Sequence, residues 1–341
     1  MAAPTRIFCI LAKLQTGPGV DAVPTAAANA VRTLNMPAMK VKYLDDGSRK
    51  DEHHAGLGNL GTVGRFGRYA EIPIQLAVKG AGADYFTATN RPEADPFLQA
   101  AGLTVTESGG AGAGKLVYTT ADASDTFPLL TVYAYTQYKL YRIIDAVVLP
   151  KITLTAGKPG VFEFSVVGRI ATDPIDSTLP SGIAYNATVQ PVFAGSQNSI
   201  GAFTQASAAP LLTRQATIDF GTTQVAMTGG GATDGLAGFL ITDREVKHSA
   251  TIQTVPLSAL AIHALARQAT QGSAIADTTA TYVLGQAGGF NRVTIRTGQW
   301  GFEPSDGDAS GLGTTVLDGV IAARSIPSGD GAGRELALTF D

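Results

Sequence analysis

Apolar and polar residues alternate with period two along much of the chain. Residues 69–78 place Ile72, Ile74, Leu76 and Val78 on one face, the spacing of a strand with one buried side. Pro73 has no amide hydrogen to give a ladder, so this strand is expected at an edge or with a bulge there. Residues 116–119 are short and β-prone. Residues 130–141 are rich in Thr, Val and Tyr, with Tyr133 and Tyr135 facing one way and Val132 and Ala134 the other. Strands over residues 146–155 and 161–167 follow, separated by the turn Ala156-Gly157-Lys158-Pro159-Gly160. In the second of these, Phe162, Phe164 and Val166 alternate with Glu163 and Ser165. Later strands are predicted over residues 250–255, 280–285, 292–297, 314–322 and 335–340.

Helix signals are few. Asp95-Pro96-Phe97-Leu98-Gln99-Ala100-Ala101-Gly102 predicts one short helix. Asp95 is placed to cap its first amides, Pro96 fits the first helical position, and Gly102 suits the stop. Residues 258–268, with Leu260, Ile262, Ala264 and Leu265 apolar, read as a second helix, and residues 25–31 read either way.

Residues 171–210 carry Pro174, Pro180, Pro191 and Pro210 among many Ser, Asn and Gly, the composition of a connector. On either side the chain runs through the same series: Gly-rich loop, alternating strand, short helix, further strands. The matched strands stand about 180 residues apart, which suggests a divergent internal duplication. The expected fold is mainly β: two tandem β-sandwich or barrel domains, each with a short flanking helix. They span residues 1–175 and 210–341, with residues 176–209 between them.

Composition narrows the function. The length of 341 residues suits about two domains. Charged residues make up 16%, against a usual ~25%, and low surface charge accompanies surfaces buried by self-association. A net charge of −3 supplies no basic field to hold nucleic acid. The 40 glycines have no every-third-residue period, which excludes collagen. Cys9 is the single cysteine, so an intrachain disulfide and a Cys-cluster zinc site are excluded, and its apolar run reads as a buried, inert thiol. That run, residues 7–12, ends at Lys13 and is too short for a signal h-region or a membrane span. The expectation is a chain made and folded in a cytoplasm, without a membrane.

Motifs with catalytic or cofactor meaning do not hold up. Gly56-Leu57-Gly58-Asn59-Leu60-Gly61 matches a dinucleotide fingerprint, but charged residues precede it and a Gly-rich stretch follows, where a buried strand and a helix are needed. Gly109-Gly110-Ala111-Gly112-Ala113-Gly114-Lys115-Leu116 nearly matches a P-loop, but Leu116 replaces the magnesium hydroxyl and a strand follows, so a hairpin loop is expected. His53, His54, His248 and His263 lack the spacing of a helical zinc site and read as solvated or interface histidines. Asp306-Gly307-Asp308 lacks the later acidic ligands of a calcium loop and reads as a turn. No nucleophile elbow occurs. No enzyme activity, metal or cofactor is expected.

The segment 43–68 is longer than loops in compact domains usually are, and such loops are commonly functional. Its charges alternate in sign: Tyr43 is followed by Asp45, Asp46, Arg49, Lys50, Asp51, Glu52, Arg65 and Arg68. One reading is a solvated loop. The other is a contact arm that pairs with a neighbouring subunit. In the second half, Asp234, Asp243, Arg244 and Glu245 form the corresponding candidate contact loop.

Ile10-Leu11-Ala12-Lys13-Leu14, followed by Gly17-Pro18-Gly19-Val20-Asp21-Ala22-Val23-Pro24-Thr25, resembles the opening of phage tail tube (major tail) proteins. Asp95-Pro96-Phe97-Leu98-Gln99-Ala100-Ala101-Gly102-Leu103 is similar to that family's helix and the turn after it. Leu240-Ile241-Thr242-Asp243-Arg244-Glu245, Gly289-Phe290-Asn291-Arg292-Val293-Thr294-Ile295 and the ending Arg334-Glu335-Leu336-Ala337-Leu338-Thr339-Phe340 resemble later family stretches in the same order. Thr136-Gln137-Tyr138 departs from the family's usual hairpin turn, and the loop 306–313 looks longer than usual. The resemblance implies a structural virion protein whose copies form rings. The rings stack into a tail tube, a β-lined channel through which genomic DNA passes without specific binding. The long loop would join stacked rings. Two tube domains per chain favour a trimer with pseudo-six-fold symmetry over a hexamer. The implied partners are a tape-measure protein, a tail terminator and tail-tip or baseplate proteins. The implied location is the phage tail, after assembly in the host cytoplasm. The alternative is another virion β-protein, such as a capsid decoration or adhesin module.

Overall fold

Period-two alternation gives strands throughout the chain. The computed structural model describes residues 7–45, 48–50, 60–63, 66–86, 90–122, 127–185, 189–192, 202–203, 213–229, 232–254, 279–285, 289–309, 312–322, 326 and 329–341. In chain order the elements of the first part are β1 (Cys9–Leu14), β2 (Ala30–Val31), β3 (Lys40–Asp45), β4 (Ser48–Lys50), β5 (Leu60–Val63), β6 (Phe66–Ala77), α1 (Asp95–Ala100), β7 (Leu103–Ser108) and β8 (Lys115–Thr120). The central part holds β9 (Leu130–Tyr135), β10 (Lys139–Thr155), β11 (Val161–Ile170), β12 (Ile175–Asp176), β13 (Ala202–Phe203) and β14 (Thr213–Asp219). The remainder holds β15 (Thr222–Thr228), β16 (Leu236–Arg244), β17 (Lys247–Gln253), β18 (Ala280–Leu284), β19 (Val293–Thr297), β20 (Trp300–Ala309), β21 (Leu312–Ile321) and β22 (Leu336–Phe340).

The fold is mainly β, as the alternation predicts. The larger sheet contains one unbroken antiparallel run, β3-β6-β11-β10-β14-β17-β21-β20. β9, β1 and β2 branch from the first half of β10, and β12 pairs with its first two residues. A second sheet, β13-β18-β19-β22-β8-β7, packs on it. Between the sheets lies one core that includes Ile72, Ile74, Leu76, Phe162, Phe164, Tyr118, Tyr282, Ile295 and Phe340. Strands from the two expected domains share both sheets: β10 pairs with β14, and β22 with β8.

The long run is built from two sets of four strands with one order. In the first set, β3, β6, β10 and β11 are first to fourth in sequence, and their spatial order is first, second, fourth, third. In the second set, β14, β17, β20 and β21 have the same spatial order. The sets meet where β10, third strand of one, pairs with β14, first strand of the other.

β10 crosses the molecule by changing its inward face midway. Before Asp145 its core residue is Ile143, and beyond it Ala146, Val148, Ile152 and Leu154 face the core. The switch from odd to even positions is a β-bulge: the register slips by one residue against both β9 and β11. Asp145 adopts φ +51 there and is buried. Its carboxylate accepts hydrogen bonds from the Gly19 amide at 2.6 Å and from Arg169 Nε at 2.6 Å. Gly168 stands opposite the extra residue, where a Cβ would come within 2.6 Å of the Ala146 Cβ.

The edge expected at Pro73 is present. β3 pairs with β6 only as far as Glu71, and beyond it the Asn35 side chain takes the place of a strand. Its Nδ2 donates to the Pro73 carbonyl and its Oδ1 accepts from the Gln75 amide. Helix α1 forms where predicted, with Gly102 at φ +80 after its end. Asp95 does not cap it. Its carboxylate accepts instead from Tyr118 Oη at 2.5 Å and Gln99 Nε2 at 2.8 Å, and Ala94 holds the cap position. The expected helix 258–268 lies outside the described residues.

Two other expectations are corrected. Asp306-Gly307-Asp308 is not a turn but part of β20, paired with Thr315, Thr314 and Gly313. Where segment 43–68 reads as a loop, its described residues are paired strands: β3 and β6 pair out to Asp45 and Phe66, and β4 and β5 continue that register at Ser48 and Arg49 before shifting by one at Lys50.

Asp145→Ala leaves the Arg169 guanidinium without its carboxylate and puts a residue without a side-chain acceptor at positive φ. A stability loss of about 3–5 kcal/mol is expected, the range for removing one partner of a buried ion pair. Urea unfolding of the purified variant checks it.

Candidate functional site

The face of the long run that points away from the core is polar. Opposed residues share a face, so the ladders assign it strand by strand. It carries Glu163 and Ser165 on β11, Lys151, Thr153 and Thr155 on β10, and Gln215, Thr217 and Asp219 on β14. It continues through Lys247, Ser249, Thr251 and Gln253 on β17, Asp318 on β21, and Glu303 and Ser305 on β20. All of these are exposed or half-exposed. The charged members named are four carboxylates, Glu163, Asp219, Asp318 and Glu303, and two ammonium groups, Lys151 and Lys247. β6 and β3 add Glu71, Lys40 and Lys42, so five carboxylates stand against four ammonium groups on a face otherwise rich in hydroxyls and amides.

Two hairpins flank this surface. The β15–β16 hairpin connects β14 to β17, the first and second strands of the second set, and folds back over the first set. Leu236 and Phe239 on it pack against Val147 of β10 and Val167 of β11, with Tyr69 edge-on to Phe239 at 5.3 Å. Its outward side exposes Val225 and Leu240, which face each other across the hairpin. The second hairpin, described above, connects β3 to β6 in the same position of the first set. Val41, Tyr43 and Phe66 on its stem are 41%, 37% and 41% exposed.

The predicted contact residues divide among these elements. Tyr43 and Asp45 lie in β3, Arg49 and Lys50 in β4, and Arg68 in β6. Asp46, Asp51, Glu52 and Arg65 lie outside the described residues. Arg68 pairs with the exposed Asp173 at 2.5 Å. In the second half, Asp234 is exposed in a short turn at φ +56, Asp243 is exposed on β16, and Glu245 pairs with Lys247 at 3.5 Å. Arg244 is engaged internally: Nε donates to Glu335 at 3.1 Å and an Nη donates to the Ala121 carbonyl at 3.0 Å.

The candidate chemical motifs resolve into structural parts. Within the Gly-rich stretch 109–116, residues 109–114 form a hairpin loop, as expected, and two of its amides are held by one carboxylate. The Asp84 carboxylate accepts from the amides of Gly112, Gly114 and Phe86. These amides, that of Gly112 first, lower its pKa. The dinucleotide-like stretch 56–61 is described only at Leu60 and Gly61, in β5. Cys9 is buried, and desolvation raises its thiol pKa.

His248 corrects the expectation of a solvated or interface histidine. It is fully buried on β17, with Nε2 2.6 Å from Tyr282 Oη on the second sheet and its ring 4.0 Å from that of Trp300. The alternation of β17 could have shown this, because His248 shares parity with Ala250 and Ile252. His53, His54 and His263 lie outside the described residues. Among the described residues no three His, Cys, Asp or Glu side chains gather as a metal site, and no helix is long and apolar enough to cross a membrane. A crevice of about 640 Å³ beside the β15–β16 hairpin is lined by Phe127, Leu129, Val147, Met227 and Phe239, with no charged side chain among its walls. No protein-family model matches the chain, and no curated protein matches it.

Burial lowers the His248 pKa to about 3, below the ~6.5 of an unfolded chain. Between these values the unfolded state binds the extra proton, so this contribution to stability is complete above pH ~6.5 and falls as the pH drops toward 3. His248→Gln is expected to flatten the pH dependence of the urea midpoint between pH 7 and 4, relative to the unchanged chain. A second outcome concerns Asp84. Asp84→Ala is expected to speed amide hydrogen exchange at Gly112 and Gly114 while leaving exchange in β9 and β11 unchanged.

Proposed function

We propose that this chain is the subunit of a phage tail tube. In this reading its copies close into rings, and the rings stack into a channel for genomic DNA. The observation that carries it is the polar face of the eight-strand run. A sheet with one face in a continuous core and the other spread with Thr, Ser, Gln and a few carboxylates suits a channel wall. Its apolar members, Leu149, Val161, Val316 and Val320, are spread singly among polar residues, and it carries no cationic stripe to hold a polyanion. The sequence resemblance described above supports the same reading over nearly the whole chain.

The repeated strand order supports two tube units per chain. Three chains would then give a ring with six-fold pseudo-symmetry, which we favour over a ring of six chains. Edges of long sheets left bare are aggregation liabilities, and closing them on neighbours removes the liability. Head-to-tail stacking propagates until another component ends it, so a tape-measure protein, a tail terminator and tail-tip or baseplate proteins are its partners. The β3–β6 hairpin, with its alternating charges, is the contact between stacked rings. The site of action is the phage tail, after assembly in the host cytoplasm. The reading needs no cofactor and no catalytic group.

Negative-stain imaging of the purified chain tests it. Rings or tubes with a central channel are expected, and persistent monomers at high concentration would defeat it. Removing residues 49–64 shortens the hairpin beyond the paired stem of β3 and β6. That variant is expected to lose by circular dichroism only the strand content of β4 and β5, and to form rings without tubes. Tubes of normal length from it would sink the stacking role.

A further inference from the structure

The eight-strand run ends on β3 at one side and β20 at the other. Each has a single ladder partner among the described residues, β6 and β21 respectively. β3 is the first strand of its set and β20 the third strand of its own. Inside the chain a third strand, β10, already joins a first strand, β14.

The ladders fix which residues correspond. Pro150 of β10 faces Phe164, and Pro304 of β20 faces Leu317. Stepping along the same strands, Val167 faces Val147 and Glu71, while Val320 faces Gly301 and Lys247. Glu71 faces Lys40, and Lys247 faces Asp219. Lys40 of β3 therefore stands where Asp219 of β14 stands. Across the internal seam Asp219 faces Lys151, whose equivalent in β20 is Ser305.

We propose that β3 of a second copy of this chain adds antiparallel along the side of β20 away from β21, with Lys40 opposite Ser305 and Lys42 opposite Glu303. The joint takes its register from Asp219–Lys151, the last pair of the seam between β10 and β14, and carries it past that pair along β3. It deepens the ring reading above and rests on it for the presence of a second copy.

Charge and exposure support this joint independently of the strand order. Glu303 lies directly opposite Asp318 on β21, both exposed, an arrangement that is repulsive within a sheet. Lys42 of the incoming strand falls on that same face, beside Glu303. Lys42 keeps its ion pair with Glu71 there. The edge of β20 carries Glu303, Asp306 and Asp308, and β3 carries Lys40 and Lys42. On the core side, the half-exposed Val41 and Tyr43 come beside Pro304 and Phe302.

The hairpins complete the match. Val167 is 3% exposed because the β15–β16 hairpin covers it. Its equivalent, Val320, is 41% exposed. The β3–β6 hairpin of the second copy has the place in its set that the β15–β16 hairpin has in the other. The same joint therefore brings the stem of that hairpin toward Val320 and leaves the part beyond the stem for the contact between stacked rings. The contact is heterologous, using different surfaces on the two copies, so it closes into a ring when its rotation closes.

The full chain carrying Lys42→Cys with Glu303→Cys tests the register. Mild oxidation is expected to give a ladder of covalent multimers on a denaturing gel, which reductant collapses to one band. Either single variant gives at least tenfold less. The shifted pair Lys42→Cys with Ser305→Cys is also expected to give at least tenfold less, because those positions are diagonal. No ladder, or an equal ladder from the shifted pair, overturns the joint. Hydrogen exchange on the unchanged chain supplies a readout independent of variant folding. Residues 40–43 and 303–307 are expected to gain protection as dilute protein is concentrated, and no gain overturns the proposal. Imaging separates the two claims. A ladder without stacked tubes keeps the joint and removes the tube reading, whereas tubes without a ladder keep the tube reading and remove the joint.

Discussion

A strand of 17 residues cannot keep one face buried across two neighbourhoods unless its pleat is reset, and the bulge at Asp145 resets it. The first half of β10 must face β9 and the branch that holds β1. The second half must face β14 and carry the sheet into the other set of strands. One extra residue moves the inward positions from odd to even, so both halves feed the same core. The arrangement requires a residue at positive φ, a glycine opposite it, and a partner for a buried charge. Gly168 and Arg169 meet the last two requirements from consecutive positions on β11. Gly238 of the overlying hairpin also approaches the Asp145 Cβ closely, at 3.1 Å from its own ideal Cβ. Three segments far apart in sequence thus converge on one carboxylate: the loop at Gly19, β11 and the β15–β16 hairpin.

The seam between β10 and β14 depends on that reset and in turn places the polar face. Because β10 continues straight after the bulge, Lys151, Thr153 and Thr155 point outward in line with Asp219, Thr217 and Gln215. Residues of opposite charge, Lys151 and Asp219, stand in register there, at the seam where the described strands of the two sets join in this sheet. Partly exposed pairs of this kind contribute little stability; their value lies in discouraging a slipped register. The second sheet binds the sets from behind, through β22 on β8 and through the His248–Tyr282 hydrogen bond between layers.

Much of the sheet could be read from the sequence, because its buried strands alternate cleanly. Ile72, Ile74 and Leu76 on β6, Phe162 and Phe164 on β11, and the opposed faces of Val132 and Tyr133 on β9 are all found as their periodicity indicates. Strands solvated over much of their length were not legible. In β20 the stretch Glu303-Pro304-Ser305-Asp306-Gly307-Asp308 has turn composition because cross-strand pairing, not burial, keeps it extended. β3 hid its strand character behind its lysines for the same reason. Position in the chain also failed to reveal non-local partners. Asp95 has the composition of a cap but lies beside Tyr118, and the Asp84 carboxylate reaches a loop 28 residues away. Among the contact residues, the length and mixed charge of 43–68 marked the segment as unusual, while the shared register of its strands emerges only from the ladders.

The filled loop at Asp84 has a consequence for how the molecule meets its solution. Backbone amides converging on one point form a general trap for small oxyanions, and a Gly-rich turn is the usual place to find one. Here the trap is closed from within, because the chain supplies the carboxylate. Sulfate, phosphate or a nucleotide in the buffer meets a negative group where the sequence suggested a cradle. The loop's shape is therefore set by the chain alone, and it is indifferent to the anions around it.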